Sequence, residues 1–171
     1  LNGVTDVENQ ADLTVLAGVT ANNGTLTRTG NSFSFSPDLD FNGTVNLNFV
    51  ISDTAGANVS TSASFVLNAV NDAPTLSGTK TTLASGSEDL SYSFTNNQLL
   101  AGFTDVDNSN LQVTDLTITD ASGASVGTFS ESANTWTFDP NDNINGLINI
   151  SYNVYDGTNK TAASNSFTLT A

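Results

Sequence analysis

The sequence lacks two residue types on which much protein chemistry depends: its 171 residues include no cysteine and no histidine. Disulfide bonds, thiolate or imidazole metal sites, and Ser-His or Cys-His nucleophile pairs are therefore excluded. The chain also has no apolar run of about 18 residues and no signal-peptide pattern. We expect any export signal or membrane anchor to lie elsewhere in a longer parent protein.

Positive charge is scarce as well. Arg28, Lys80 and Lys160 are the only basic residues against 17 Asp and Glu, which gives a net charge of −14 at pH 7. Such a chain repels nucleic acid and anionic lipid, so we expect neither nucleic-acid binding nor membrane insertion. Charged residues are only 12% of the total, so this is not a disordered acidic tail. The carboxylates are sparse and clustered, which points to cations.

The chain repeats itself. Residues 1–9 (LNGVTDVEN) return as residues 100–108 (LAGFTDVDN), 99 positions later. Solenoid repeats run only about 20 to 50 residues, so each copy is expected to be a self-contained domain. We expect domains at 1–70 and 71–171, with a linker at 70–74. Residues 71–99 have no counterpart before Leu1, so the first domain is expected to lack its N-terminal strands.

Hydrophobic and polar residues alternate through most of the chain, as is typical of half-buried strands. Two such runs are Val45, Leu47, Phe49 and Ile51, and their repeat Ile148, Ile150, Tyr152 and Val154. Turns are predicted at Asn23-Gly24, Asn42-Gly43, Ser122-Gly123, Asn145-Gly146 and Asp156-Gly157, and strand ends at Ser36-Pro37 and Asp139-Pro140. Many short strands separated by turns predict an all-β fold, a sandwich of two antiparallel sheets.

The carboxylates of the second copy gather in short motifs: Glu88-Asp89, Asp105-x-Asp107-Asn108, Asp139-x-x-Asp142 and Asp156. Alternate positions at a strand end point two side chains the same way, so Asp105 and Asp107 can aim their oxygens at one point. Calcium takes about six to eight oxygen ligands, whereas magnesium retains water and demands an octahedron. The pattern favours a calcium site, although Asp and Asn also form turns.

Four features together resemble the cadherin-like tandem repeats of large bacterial surface adhesins of the RTX and biofilm type. They are the Val-Asn-Asp-Ala-Pro segment at 70–74, Glu88-Asp89, Asp105-Val106-Asp107, and the aromatic-rich segment from Trp136 to Gly146. The resemblance covers nearly the whole chain. It implies tandem cadherin-like or immunoglobulin-like Greek-key β-sandwiches.

The resemblance also implies a calcium ion, Ca²⁺, at each domain junction and assigns its ligands. At the junction between the copies these are Asn71, Asp72, Asp105, Asp107 and Asp156, with a further oxygen from Asn108. The resemblance also implies Asp38 and Asp40 as ligands, from the end of the first copy that faces this junction. Two outer half-sites are implied by Asp6, Glu8 and Asp53, and by Glu88 and Asp139.

The function implied is a calcium-rigidified stalk in a secreted bacterial adhesin, which acts at the cell surface in adhesion and biofilm formation. Its partners would be neighbouring repeats of the same chain and a cell-surface glycan or protein, and we expect a monomer and no enzymatic activity. The alternative is a carbohydrate- or protein-binding module of a surface protein or of a polysaccharide-degrading enzyme. Homotypic adhesion is a third hypothesis.

Two side-chain features bear on these alternatives. Trp136 alternates with Phe138 and is interpreted mainly as a core residue, whereas Tyr155 is the better candidate for an exposed ring that could stack on a sugar. Lys80 or Lys160 could form an isopeptide crosslink to an Asn beside an acid, but neither Lys is repeated in the other copy. We therefore give the crosslink little weight.

Overall fold

The regular structure is built almost wholly of strands. The computed structural model describes residues 13–171, and the chain divides into two compact units between Val70 and Asn71. The described elements are β1 (Thr14–Val15), β2 (Thr20–Ala21), β3 (Gly24–Thr29), β4 (Ser32–Pro37), β5 (Gly43–Ser52), β6 (Asn58–Leu67), β7 (Thr75–Leu76), β8 (Gly86–Ser87), β9 (Tyr92–Thr95), α1 (Asn96–Leu100), β10 (Phe103–Thr104), β11 (Gln112–Asp120), β12 (Gly127–Ser132), β13 (Thr135–Pro140), β14 (Gly146–Tyr155) and β15 (Lys160–Thr170). The predicted all-β class is confirmed. No helix in this part of the chain is long and apolar enough to cross a membrane.

The second unit contains two main sheets. One has the strand order β11-β14-β15-β8 and the other has the order β12-β13-β9, while β10 and β7 form a separate pair. All of these pairings are antiparallel except that of β15 with β8, which is parallel. The arrangement confirms the predicted sandwich. The parallel contact closes one edge of the larger sheet with a segment from the start of the unit.

The core of the second unit is centred on β14. Ile148, Ile150, Tyr152 and Val154 are each no more than 3% exposed, which confirms the predicted period-two strand. Apolar side chains from both sheets pack on them, and the rings of Tyr92 and Phe167 stack with centroids 3.9 Å apart. Burial of each large side chain contributes about 1.5–3 kcal/mol, so this alternation contributes substantially to the stability of the unit.

The first unit has the order β1-β5-β2 with β6 on β5, and a separate β3–β4 hairpin. Val45 and Ile51 of β5 are buried, as alternation predicts. Within residues 13–171, β6 pairs only with β5 and β4 only with β3, whereas their counterparts β15 and β13 each have a second partner. Those second partners, β8 and β9, lie within residues 71–99, the segment that has no counterpart in the first copy.

One irregularity of β11 is visible in the sequence. The apolar alternation changes phase between Val113 and Leu116, and the pairing with β14 shifts register between Thr114 and Thr117. Asp115 lies in this bulge with a φ of 55°, a left-handed conformation that Asp tolerates better than most residues. The predicted strand ends are also confirmed, because β4 stops at Pro37 and β13 at Pro140.

The short helix α1 was not predicted. Its N-cap is Thr95, whose hydroxyl accepts from the backbone N–H of Gln98 while the Gln98 side chain accepts from the backbone N–H of Thr95. This is a capping box, and its Thr-x-x-Gln spacing was readable in the sequence. Leu99 of α1 is buried, and its carbonyl accepts a hydrogen bond of 2.7 Å from the hydroxyl of Tyr152. The helix is therefore fixed to the core.

We predict that Tyr152→Phe lowers the free energy of unfolding of the second unit by about 1 kcal/mol, because the buried carbonyl of Leu99 loses its partner. Burial raises the pKa of Tyr152 to about 12. In the unfolded state Tyr152 ionises near its ordinary pKa of about 10. The stabilisation by the protonated Tyr152 is therefore complete below about pH 10 and is lost as the pH rises through the folded pKa. The variant should therefore lose less stability at alkaline pH.

Urea unfolding followed by Trp136 emission measures this, because Trp136 is the only tryptophan and lies in the second unit. Tyr155→Phe is the control, since that hydroxyl lies at the surface and donates to the carbonyl of Gly157. Equal alkaline losses in the wild type and Tyr152→Phe would contradict the prediction.

Candidate metal centre

The strand pairing of the second unit explains why its acidic motif lies beside the linker. β7 pairs antiparallel with β10, with Thr75 opposite Thr104. The chain entering β7 therefore runs alongside the chain leaving β10. Asp72 precedes β7 and Asp105 follows β10, so the two come together although they are 33 positions apart in the sequence.

The linker residues are held by the acids. The backbone N–H of Asp72 donates to Oδ2 of Asp107 at 2.8 Å, and Nδ2 of Asn71 donates to Oδ2 of Asp156 at 2.9 Å. The same Nδ2 donates to the carbonyl of Asp72 at 2.7 Å. The structure thus brings together Asn71, Asp72, Asp107 and Asp156, four of the residues that the resemblance assigns to one site.

Asp105 uses only one of its carboxylate oxygens. Oδ1 accepts from the backbone N–H groups of Asp107 and Asn108, both at 2.8 Å. Oδ2 is buried and is the one buried side-chain polar atom without a hydrogen-bond partner in residues 13–171. A buried carboxylate oxygen without a partner is costly, and a bound cation would relieve that cost. An oxygen in this situation is suited to bind a cation.

Asp156 is the most enclosed of the acids, at 3% exposure. Its Oδ1 accepts from the N–H groups of Thr158 at 2.5 Å and Asn159 at 2.6 Å, and its own carbonyl accepts from the side-chain amide of Asn108. Burial raises the pKa of this carboxyl, but the hydrogen bonds from Asn71 and the two backbone N–H groups outweigh burial, so the pKa lies below its ordinary value. Asp156 is therefore ionised at neutral pH.

These residues fit a hard cation such as calcium, because every atom that they could offer as a metal ligand is an oxygen. No three acidic side chains within the described part of the chain lie close enough to hold a metal, so Asp105, Asp107 and Asp156 would have to move toward one another to share one cation. Calcium also takes more ligands than these acids supply, and amide or carbonyl oxygens of Asn71, Asn108 and the backbone are available. Both amides now present N–H to acceptors, so each would have to turn its oxygen inward to act as a ligand.

Glu88 and Asp139 lie away from this centre. Oε2 of Glu88 accepts from the side chain of Asn145 at 3.1 Å, and Oδ1 of Asp139 accepts from Ser91 at 3.1 Å. Asn145 precedes β14 and Asp156 follows it, and the ten residues of that strand span about 33 Å. Glu88 and Asp139 thus lie at the opposite end of the second unit.

In the first unit the predicted acids occupy turns. Oδ1 of Asp53 accepts from the N–H of Ala57 at 2.8 Å in the β5–β6 turn, which corresponds to the turn of Asp156. Asp38 and Asp40 follow Pro37 just as Asn141 and Asn143 follow Pro140, with matching backbone hydrogen bonds and positive φ at Asp40 and Asn143. The first copy thus has Asp at two positions where the second copy has Asn. Asp6 and Glu8 lie outside the described residues.

Lys160 forms an ion pair with Asp115. Its Nζ lies 2.8 Å from Oδ2 of Asp115, which also accepts from Asn153 at 2.9 Å. The hydrogen bond from Lys160 is the main reason that the pKa of Asp115 falls to about 2. An isopeptide bond requires a neutral amine that attacks the Asn side chain, whereas this Lys faces an ionised carboxylate in an exposed position. The geometry favours a surface ion pair at the bulge of β11.

Comparison with known proteins identifies the domain type. The family model described as a cadherin-like domain matches residues 1–68 and 70–170. No curated protein matches the chain. Similar solved structures include an endo-fucoidan hydrolase of glycoside hydrolase family 107 (24% identity, TM-score 0.37, 92% of this chain) and the mixed-linkage glucan utilization protein SGBP-B of Bacteroides ovatus with a heptasaccharide (19% identity, TM-score 0.24, 92% of this chain). The chain spans 23% of the first and 37% of the second, and at these TM-scores neither supports a functional argument.

We predict that Asp156→Asn lowers the melting temperature of the second unit. The melting temperature of the variant should also depend less on pH under acidic conditions. The carboxylate accepts from three N–H donors, and an amide replaces one acceptor oxygen with a further donor. Because the pKa of Asp156 is lower in the folded state, this stabilisation is present above the ordinary pKa of Asp, about 4. It is lost as the pH falls through the folded pKa. The melting temperature from Trp136 emission, measured between about pH 3 and about pH 7, tests the prediction.

Asp142→Asn is the matched control, because Asp142 is exposed and lies at the other end of the unit. If the melting temperature falls equally steeply with decreasing pH in Asp156→Asn and the wild type, Asp156 is not the source of this pH dependence.

Proposed function

Because this chain belongs to the family of cadherin-like domains, which are typically extracellular structural or binding modules, we propose that it is a calcium-rigidified extender segment. In this proposal the repeats form part of the stalk of a secreted bacterial adhesin of the RTX type. The stalk holds a binding module away from the cell surface and serves adhesion and biofilm formation. The partners are neighbouring repeats and, through the distal module, a surface glycan or protein.

The buried, unpartnered Oδ2 of Asp105 is the observation that most supports the proposal. It lies in a motif that contacts the linker, because Asp107 accepts the N–H of Asp72. Pro74 is buried, and its carbonyl accepts from the hydroxyl of Thr161 at 2.6 Å. The linker therefore begins in contact with the acids, and only three residues separate the end of β6 at Leu67 from Asn71.

Bound calcium would supply a divalent charge that neutralises neighbouring carboxylates and orders the oxygens around it. Asp105 would bind it through Oδ2, and Asp107 and Asp156 would contribute carboxylate oxygens. Asn71, Asp72 and Asn108 would complete the set with amide or carbonyl oxygens. Without the cation the negative charge of this cluster is compensated only by N–H donors, so the entry to the unit is held less firmly.

We propose a non-catalytic role. The chain has no His or Cys to act as a nucleophile or base near neutral pH. Its acids lie in turns and at strand ends, and Asp105, Asp107 and Asp156 contact linker or turn backbone. A glycosidase instead places an acid and a base on either side of a cleft. The arrangement is suited to holding backbone segments together.

We predict that calcium raises the free energy of unfolding of the second unit. With the affinity of extracellular modules, about 10⁻⁴ to 10⁻³ M, calcium at about 10 mM should add about 1.4–2.7 kcal/mol. The double substitution of Asp105 and Asp107 by Asn should abolish this gain and leave the fold intact at a lower melting temperature. Unfolding of the full chain, followed through Trp136 with calcium and with chelator, measures both effects.

The matched control replaces Glu131 by Gln and Asp142 by Asn, two exposed acids outside the ligand sets that the resemblance implies. It removes the same charge and should preserve the calcium response. Magnesium at equal concentration should stabilise much less, because it gives up its water reluctantly. A full calcium response in the Asp105 and Asp107 variant, or an equal response to magnesium, would refute this site.

We also predict that the full chain changes shape with calcium. Small-angle X-ray scattering should give a longer and narrower distance distribution with calcium than with chelator, because ordering of the linker residues restricts bending. The Asp105 and Asp107 variant should match the chelated wild type in both buffers. If calcium stabilises the second unit but scattering does not change, the site exists without a stalk function.

A further inference from the structure

A polar groove lies along the open side of the second unit. It has a volume of about 530 Å³ and spans both sheets, between the start of β11, the β12–β13 hairpin and α1. Its walls carry Asn97, Asn110, Gln112, Glu131, Asn134 and Trp136. Small-molecule sites typically measure about 300–1,000 Å³, so the groove is large enough for a ligand of a few rings.

Trp136 supplies an aromatic wall whose orientation is fixed. Its indole N–H donates to Oδ1 of Asn96 at 2.6 Å, and Nδ2 of Asn96 donates to Oδ1 of Asn134 at 3.3 Å. The ring of Phe129 lies 5.9 Å from that of Trp136 between centroids. Trp136 is half-buried, so the expectation that it packs against the core holds for part of its surface only. An aromatic ring already held in place stacks on a ligand with little loss of entropy.

The rim of the groove is rich in amides that the fold does not use. Asn97, Asn110 and Gln112 are exposed, and none of their side chains is hydrogen-bonded to another residue in the described range 13–171. Each side-chain amide offers two N–H donors and an accepting oxygen. Vicinal hydroxyl groups donate and accept in the same way, so a row of amides beside an aromatic ring matches the polar edge and apolar face of a sugar.

The charge of the groove limits the class of sugar. Glu131 is the one charged residue in its lining, and no Lys or Arg lines it. The chain as a whole carries a net charge of −14. A sulfated or uronic-acid glycan would meet repulsion without a compensating cation.

We propose that this groove binds a neutral oligosaccharide, with one ring stacked on Trp136 and hydroxyl groups bonded by Asn97 and Gln112. This gives the repeat a glycan-binding role of its own, separate from the metal centre. Tyr155, the ring that the sequence favoured for sugar stacking, is less suited. It is half-buried, and Nζ of Lys160 lies over its ring at 5.6 Å from the centroid.

The emission of Trp136, the only tryptophan, reports directly on the groove. We would titrate the full chain with cellohexaose, xylohexaose and laminarihexaose as neutral probes, and with a sulfated fucan as the anionic probe, in calcium and in chelator. We expect a saturable change in emission with at least one neutral probe and none with the fucan. The double substitution Asn97→Ala and Gln112→Ala should weaken binding about tenfold or more, since it removes two hydrogen-bonding groups without disturbing the core.

Tyr155→Ala is the aromatic control and should bind like the wild type. Trp136→Phe tests the stacking partner, with retention on immobilised glycan as the readout because the fluorophore is lost. The proposal is overturned if no neutral probe binds, if the amide variant binds as well as the wild type, or if only the sulfated fucan or an extended peptide is retained. Loss of calcium binding leaves this outcome unchanged, so the two proposals fail separately.

Discussion

The buried alternation of β14 is the constraint on which the rest of the second unit depends. A strand with four successive inward side chains at 3% exposure or less cannot slip by one residue, because the slip would turn all four to solvent. β11 and β15 take their registers from β14 on either side. Its last residue, Tyr155, lies opposite Gln112, which lines the groove, and the next residue is Asp156 of the candidate metal centre.

The long strands were predictable because burial leaves a periodic signature in the sequence. The phase change before Leu116 also marked the bulge of β11. The β7–β10 pair could not be predicted, since two residues per strand are too few to show a period. That pair nonetheless places Asp72 against Asp107. The sequence thus identified Asp105 and Asp107 by residue type and spacing, and the family resemblance added Asn71 and Asp72. The contacts between these residues depend on a pairing with no local signal.

The groove was missed for a related reason. Asn97, Gln112 and Trp136 come from a helix and two different sheets, and only the packed sandwich brings them together. Trp136 alternates with the buried Phe138 and shares its inner face, which favoured a mainly core role. It lies toward the open side, where the β12 edge leaves Phe129 at 39% exposure. Period-two alternation identifies the inner face of a strand, but it does not show how far along that face the opposite sheet extends.

In residues 13–171 the carboxylates are stabilised chiefly by N–H groups, so the oxygens that form turns can be distinguished from an oxygen that is suited to bind a metal. Basic residues are few, and in residues 13–171 Lys160 and Asp115 form the one ion pair. Asp53 and Asp120 accept backbone N–H groups in tight turns, an ordinary use of Asp. Asp105 does the same with Oδ1, yet it differs because its Oδ2 is buried without a partner. A turn-forming role explains the first oxygen of Asp105 and leaves the second unexplained, whereas the proposed cation would give the second oxygen a partner.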